Sequence, residues 1–248
     1  MHRKYTFIYT IRAERFKNRE MVDERMYETE VLKKCERLPV FSLSDVNQII
    51  GNRMYAKKFL KRMVKEKKIY NIRKNAYTLH ADPFLVSTFL VRPSYISGVS
   101  ALSYHKLITQ IPKEVFCATT KRNKDIEFKE MIHFFYTDYF FGFESIAEEK
   151  FKILIATPEK AIIDSFSLTL VSVFEEAFEN IDERKMIDHL KKIKKSSILK
   201  RIGYLMEKYG YDSYDQLKKY INYKYVVLDP LMKKKGLKNK KWGIIVNT

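Results

Sequence analysis

The sequence predicts an α+β protein in two parts: a small helical module closed by a hairpin, then a larger mixed α/β domain with a helical end. Three observations predict it. Residues 52–68 wind into a strongly basic amphipathic helix and run into a short strand–turn–strand segment. Beyond Asp82-Pro83 the chain changes to short apolar runs of strand length. From Thr157 to about Tyr225 it returns to helical periodicity.

The basic stretch Asn52–Leu79 carries ten Lys/Arg against one acid, Glu66. At about 100° per residue, Tyr55, Ala56, Phe59, Leu60 and Met63 share one face of a helix. Arg53, Lys57, Lys58, Lys61, Arg62, Lys65 and Lys68 spread over the other. A solvated surface usually mixes signs, so seven cations against the single acid Glu66 point to an anionic partner. Upstream, residues 21–37 read as an amphipathic helix with Met26, Val31, Leu32 and Cys35 inward, ended by Pro39. Ser44 is the expected cap of a short helix holding Val46, Ile49 and Ile50, and Gly51 supplies a sharp turn. Downstream, Ile69–Ile72 and Ala76–Leu79 read as strands with Arg73, Lys74 and Asn75 at the tip, Asn75 tolerating left-handed backbone. Helix, short helix, turn, basic helix and hairpin in that order describe a winged helix-turn-helix. The expected fold is thus an N-terminal winged helix-turn-helix followed by a mixed α/β C-terminal domain with a helical end. The expected DNA-binding residues are Ser44, Asn52, Arg53, Met54, Lys57, Lys58, Lys61, Arg62, Lys65, Arg73, Lys74 and Asn75.

Charge placement agrees with this. The net charge is +18 over 248 residues, but residues 1–80 contribute +11, residues 81–230 only +1, and residues 231–248 contribute +6. Such asymmetry favours a nucleic acid over an anionic membrane. The expected boundaries are a poorly ordered leader at 1–20, the winged module at 21–82, an α/β domain at 83–230 and a mobile basic tail at 231–248. Within the tail, Trp242 with Ile244–Val246 can dock back as a short strand. Cys35 and Cys117 stand far apart with no Cys/His cluster, so reduced thiols in a cytoplasmic protein are the default and no metal or other cofactor is expected. The apolar run Tyr5–Ile11 is too short for a membrane span or signal peptide.

In the second part, Pro93 and Pro112 bracket a short helix at about Val99–Leu107. Strands are expected at Glu114–Thr119, Ile126–Phe128, Met131–Tyr136, Tyr139–Phe143 and Lys152–Ala156. Seven aromatics crowd residues 134–143. They fit a buried hairpin turning at Thr137-Asp138 better than a stacking platform, since no cation interleaves them. Thr157, Pro158 and Glu159 open a helix well. Further helices are expected at Val173–Asn180, Glu183–Lys195, Ser197–Tyr209 and Ser213–Tyr223, with Asp182 and Asp212 as caps. Lys191, Lys192, Lys194, Lys195, Lys200 and Arg201 form a second basic cluster, read as a solvated face before a phosphate contact. The seven glycines form neither GxGxxG nor GxxxxGK, and HExxH and GxSxG are absent. Asp138, Glu144, Glu159 and Lys160 make only a forced nuclease set, so catalysis is not expected.

Three stretches together resemble the AbiEi-type antitoxins of type IV toxin–antitoxin systems. They are the opening module (FSLSDV…NRMYAKKFLKRMVKEKKI…AYTL), YISGVSALSYHKL, and IATPEKAIIDSF. Lys106 stands where the family has Gly. The resemblance implies a winged helix that binds inverted repeats in the operon's own promoter and represses it. It also implies a C-terminal domain that counteracts a nucleotidyltransferase-like toxin. Arg53, Lys57, Lys58 and Lys61 match the family's recognition helix, and Arg73 and Lys74 its wing tip. Ser97, Ser100, His105, Thr157, Pro158, Glu159, Lys160 and Asp164 fall in the other two signatures. They are read as structural first; of these, Ser97, Ser100, His105, Glu159, Lys160 and Asp164 are antitoxin-surface candidates second. A winged-helix transcription factor with an unrelated sensor domain stays open as an alternative, and a nucleic-acid-processing enzyme more remotely.

Overall fold

The computed structural model describes residues 27–248 as two compact units that divide between Ala81 and Asp82. The leader, Met26 and the first turn of the expected opening helix lie outside the described residues. The fold is α+β, with helices accompanied by three separate sheets.

In the first unit, helix α1 (27–35) buries Val31 and Cys35 as its periodicity requires. Helix α2 (Leu43–Ile50) is capped by Ser42 rather than the expected Ser44. Ser42 Oγ accepts from the amides of Ser44 and Asp45, while Asp45 Oδ2 accepts from Ser42 N at 2.7 Å. That reciprocal box fixes the helix start two residues earlier, because Asp45 stands at the third helical position. Gly51, at φ +76°, ends α2 in left-handed backbone. Asn52 then caps α3 (Arg53–Lys65), its Oδ1 accepting from Tyr55 N at 3.0 Å. The helix stops three residues before Lys68, since Lys67 turns to φ +57°. Ala56, Phe59, Leu60 and Met63 are buried with Phe41, Val46 and Ile69, whereas Tyr55 is exposed at the edge of that face. Strands β1 (Tyr70–Arg73) and β2 (Ala76–Thr78) form an antiparallel hairpin with Asn75 at φ +61°. Phe41 and Tyr77 exchange backbone hydrogen bonds at 2.8 Å, tying the hairpin to the segment ahead of α2.

The second unit opens with α4 (Pro83–Leu90), capped by Asp82 with Pro83 in the first turn. Neither α4 nor β3 (Ser94–Ile96) is expected from the pattern: α4 buries six of its eight residues and β3 all three, so neither shows a clean period. Helix α5 (Gly98–Tyr104) follows, then β4 (Val115–Thr119), β5 (Ile126–Phe128), β6 (Glu130–Tyr136), β7 (Phe143–Glu148) and β8 (Phe151–Ala156). Their order in the sheet is β5-β6-β4-β3-β8-β7, with β4/β6 and β3/β8 parallel. The expected hairpin at Thr137-Asp138 is therefore wrong. Strand β6 pairs with β4, β7 pairs with β8, and residues 137–142 connect opposite halves of the sheet. The crowded aromatics divide among different neighbours: Phe140 packs 5.2 Å from Tyr95, and Phe141 5.2 Å from His189.

The helical end comprises α6 (Pro158–Ser165), α7 (Val171–Phe174), α8 (Glu183–Ile193), α9 (Ser196–Lys208) and α10 (Tyr214–Leu217). Asp182 caps α8 as expected, accepting from Lys185 N, but α10 starts after Ser213, so Asp212 is no cap. The tail is not a loose appendage. Strands β9 (Val226–Val227), β10 (Leu237–Asn239) and β11 (Ile244–Val246) form a sheet in the order β10-β11-β9. Trp242 is buried against Gly203 of α9, whose missing Cβ leaves room for the indole, and its Nε1 donates to Glu207 at 2.6 Å.

Candidate nucleic-acid interface

The arrangement of the first unit follows from the α3 wheel. With Ala56, Phe59, Leu60 and Met63 against the core, Met54, Lys58, Lys61 and Lys65 occupy the opposite ridge, and all four are exposed. Met54 leaves 68% of its surface in solvent. Arg53 and Lys57 lie on one flank, also exposed, where α3 meets α2 and the hairpin. There they line a cleft of about 460 Å³ with Ser44, Asn47, Lys74 and Tyr77. Three cations and the neutral polar side chains of Ser44, Asn47 and Asn75 thus face one groove that no acid lines. Its potential is positive, and its low-dielectric walls concentrate that field on anything placed inside.

Not every expected residue joins this surface. Arg62 lies on the far flank, beside α1, with its Nη2 3.4 Å from Glu28 Oε2. Lys68 pairs with the same carboxylate and with Glu66 at 2.8 Å. Arg62 thus fastens α3 to α1 and is removed from the ligand-facing set. Asn75 reaches back to α2, its Oδ1 accepting from Leu43 N at 2.9 Å. It satisfies one of the amides left free at a helix start and pins the hairpin tip. Asn52 likewise spends its side-chain oxygen as a cap. Arg73 and Lys74 are exposed beside that pinned tip. Asn47 and Tyr77 carry no charge, so the charge pattern does not mark them. Glu28 meets its partner 34 residues away, a pairing that no local pattern marks.

The signature residues of the second unit behave differently. Ser97, Ser100, Glu159, Lys160 and Asp164 are 0–7% exposed and so cannot form a surface; His105 is half-buried, one ring nitrogen 2.8 Å from Ala156 O. Lys160 Nζ pairs with Asp164 Oδ1, and Asp164 Oδ2 accepts from Ser97 Oγ at 2.7 Å and Tyr95 OH at 3.2 Å. The ammonium also lies 5.6 Å from the Tyr95 ring centroid and 5.7 Å from that of Phe141. Burial lowers the Lys160 pKa, with Asp164 opposing, while burial and Asp164 together push the Tyr95 phenol far up. Glu159 Oε1 accepts from Asp182 N at 3.0 Å, joining the starts of α6 and α8. The cluster is a buried polar tie between α6, β3 and the 137–142 connection. Ser100 Oγ bridges Glu114 O and Phe116 N, fixing α5 to β4.

In the second basic cluster, Lys200 is buried, donating to Asn222 Oδ1 at 3.0 Å and to Lys224 O. Arg201 Nε donates to Val227 O at 2.9 Å. Both hold the segment around β9, and the buried Lys200 is unavailable to phosphate. Among the described residues, no His, Cys, Asp and Glu cluster has the geometry to hold a metal ion. Among them, too, no helix is long and apolar enough to cross a membrane.

No family model and no curated protein matches the sequence. Among solved structures, the chain is similar to the RV2827C protein from Mycobacterium tuberculosis, with a TM-score of 0.64 and 12% identity. The alignment covers 89% of this chain and 91% of that one. At that identity the likeness shows a shared fold and nothing of function.

Proposed function

We propose that the first unit is a winged helix-turn-helix that binds double-stranded DNA, and that the chain is an antitoxin and autorepressor of a type IV toxin–antitoxin operon. One observation carries the DNA reading: Arg53, Lys57 and Lys74 line a single groove beside an outward ridge of Lys58, Lys61 and Lys65, with no acid among them. Helix α3 then enters the major groove with its N-terminal half toward base edges, while the ridge and the hairpin tip meet backbone phosphates. The antitoxin assignment rests on the three sequence stretches that resemble the AbiEi-type family. In this reading the protein acts by binding rather than catalysis, and it counteracts a nucleotidyltransferase-like toxin encoded beside it.

A footprint upstream of the gene tests the repressor function. A protected inverted repeat, with tighter binding there than to scrambled DNA across a salt series, is the expected result. Co-expression with the product of the adjacent gene tests the antitoxin function: growth arrest relieved by this chain is expected. Equal binding to every sequence, or arrest left unrelieved, overturns the corresponding half.

A further inference from the structure

Residues 218–241 hold nine lysines and a single acid, Asp229. Asp229 is fully buried: its carboxylate accepts from the amides of Val171 and Leu231, both at 2.8 Å, so it offsets none of the surface charge. Two of the lysines are paired, Lys218 with Asp215 at 2.7 Å and Lys241 with Glu207 at 2.9 Å. Lys219, Lys224, Lys233, Lys234, Lys235, Lys238 and Lys240 are all exposed, with no carboxylate partner among the described residues. A solvated lysine loop would carry little else. This one also displays Tyr223 at 88% exposure, Leu237 at 82%, Leu231 at 53% and Tyr225 at 40%. Lys238 lies 5.5 Å from the Tyr225 ring centroid and Lys219 5.0 Å from that of Tyr220, so two of these cations already sit against tyrosine rings.

The display is held in place. Asn247 Nδ2 donates to Asp229 O and to Lys233 O, at 2.9 and 3.0 Å. Strand β10 pairs with β11, placing Lys238 opposite Ile245. The backbone at Gly236 approaches Val246 so closely that a Cβ would collide with its carbonyl oxygen. Buried Lys200 holds Asn222 and Lys224 on either side of Tyr223.

We infer that this lysine–tyrosine surface of the second unit is a second nucleic-acid site, one that takes single-stranded polynucleotide. Cations track the sugar-phosphate backbone, and unpaired bases stack on the exposed tyrosines, which a duplex with its bases already stacked does not offer. An anionic bilayer fits less well. The apolar side chains sit on loops and a three-residue strand, without the continuous face an interfacial helix buries in lipid.

The experiment uses the full chain carrying R53A, K57A, K58A and K61A, which removes four of the cations proposed to bind duplex DNA in the first unit. Fluorescence anisotropy follows labelled 20-mers of oligo(dT) and oligo(rU), a duplex of equal length, and vesicles of phosphatidylglycerol. The single strands should bind more tightly than the duplex. Y223A/Y225A should weaken them about tenfold for each stacked base lost, and Y223F/Y225F should restore binding. K233A/K234A/K235A/K238A should weaken binding and lower the salt slope by about 0.7 for each phosphate contact removed. Unchanged melting temperatures show that the variants fold. Single-strand binding indifferent to both sets of changes, or a preference for duplex or vesicles, overturns the inference. Neither result touches the duplex-DNA reading of the first unit.

Discussion

At the residue scale, cations of similar appearance in the sequence have separate tasks. Arg53 and Lys57 line the groove, Lys61 and Lys65 stand on the outer ridge, and Arg62 is anchored to Glu28. Arg53→Ala or Lys57→Ala should cost about 1–3 kcal/mol of binding and relax base preference. Lys61→Ala and Lys65→Ala should weaken all sequences alike and each lower the salt slope by about 0.9. Gel shifts on promoter and scrambled DNA over a salt series separate the two classes. The buried pair allows a test of a different kind. Lys160→Met alone leaves Asp164 charged and uncompensated, a loss of about 3–5 kcal/mol in urea unfolding, whereas Lys160→Met with Asp164→Leu should recover much of it. Burial raises the Cys35 thiol to about 11 and Cys117 to about 12, from 9.0, and the Tyr95 phenol rises too. All three hold their protons longer in the folded chain than in the unfolded one. The stability they contribute is complete below about pH 9 and is lost as pH rises through the folded values. The urea midpoint should fall above pH 9, and both thiols should resist a disulfide reagent at pH 8 until the chain unfolds; ready reaction of the folded protein contradicts this. Charge was legible in the sequence, and so was the inward face of α3. Which cation meets a carboxylate was not, because Glu28 and Arg62 come together only through packing of α1 on α3.

At the element scale, local chemistry decided what could be read. The basic helix announced itself through Gly51, the Asn52 cap and a strong apolar stripe, and the hairpin through a single Asn able to adopt φ near +60°. Phe59 lies at the centre of that stripe with 3% exposure, so Phe59→Ala should cost about 3–5 kcal/mol and unfold the module before any effect on DNA is seen. Circular dichroism through a urea titration measures it. The sheet of the second unit was harder. Strands β4, β5, β6 and β8 were readable from apolar runs, but their order was not, because parallel pairs such as β4/β6 are joined by crossovers that leave no local signature. A run of aromatics suits a hairpin as well as it suits the connection seen here, because only the partner of β6 distinguishes the two. The signature TPEKAIIDS was placed correctly on a helix, and its charged residues proved to face inward. A helix-start explanation for Glu159 and Lys160 gives no hint that 0–2% of each would be exposed.

At the scale of the whole molecule, the uneven charge is the feature that organises the account. Residues 81–230 are near neutral at +1, residues 231–248 add +6 on six lysines, and residues 1–80 add +11, with ten of their cations between Asn52 and Leu79. The tail looked mobile in sequence because lysine runs rarely order themselves. Trp242 and β11 fold it back, and the lysines become a surface with a shape. The fold shared with the Mycobacterium tuberculosis protein extends over both units but carries no function across. The proposed function rests on the groove beside α3. The most direct measurement is the affinity for native promoter duplex of the parent and of R53A/K57A/K58A/K61A, with the slope of log affinity against log salt for each. The account predicts a loss of at least about a hundredfold and a slope shallower by about two to four, with an unchanged melting curve. A variant that folds and binds the promoter as the parent does would contradict it.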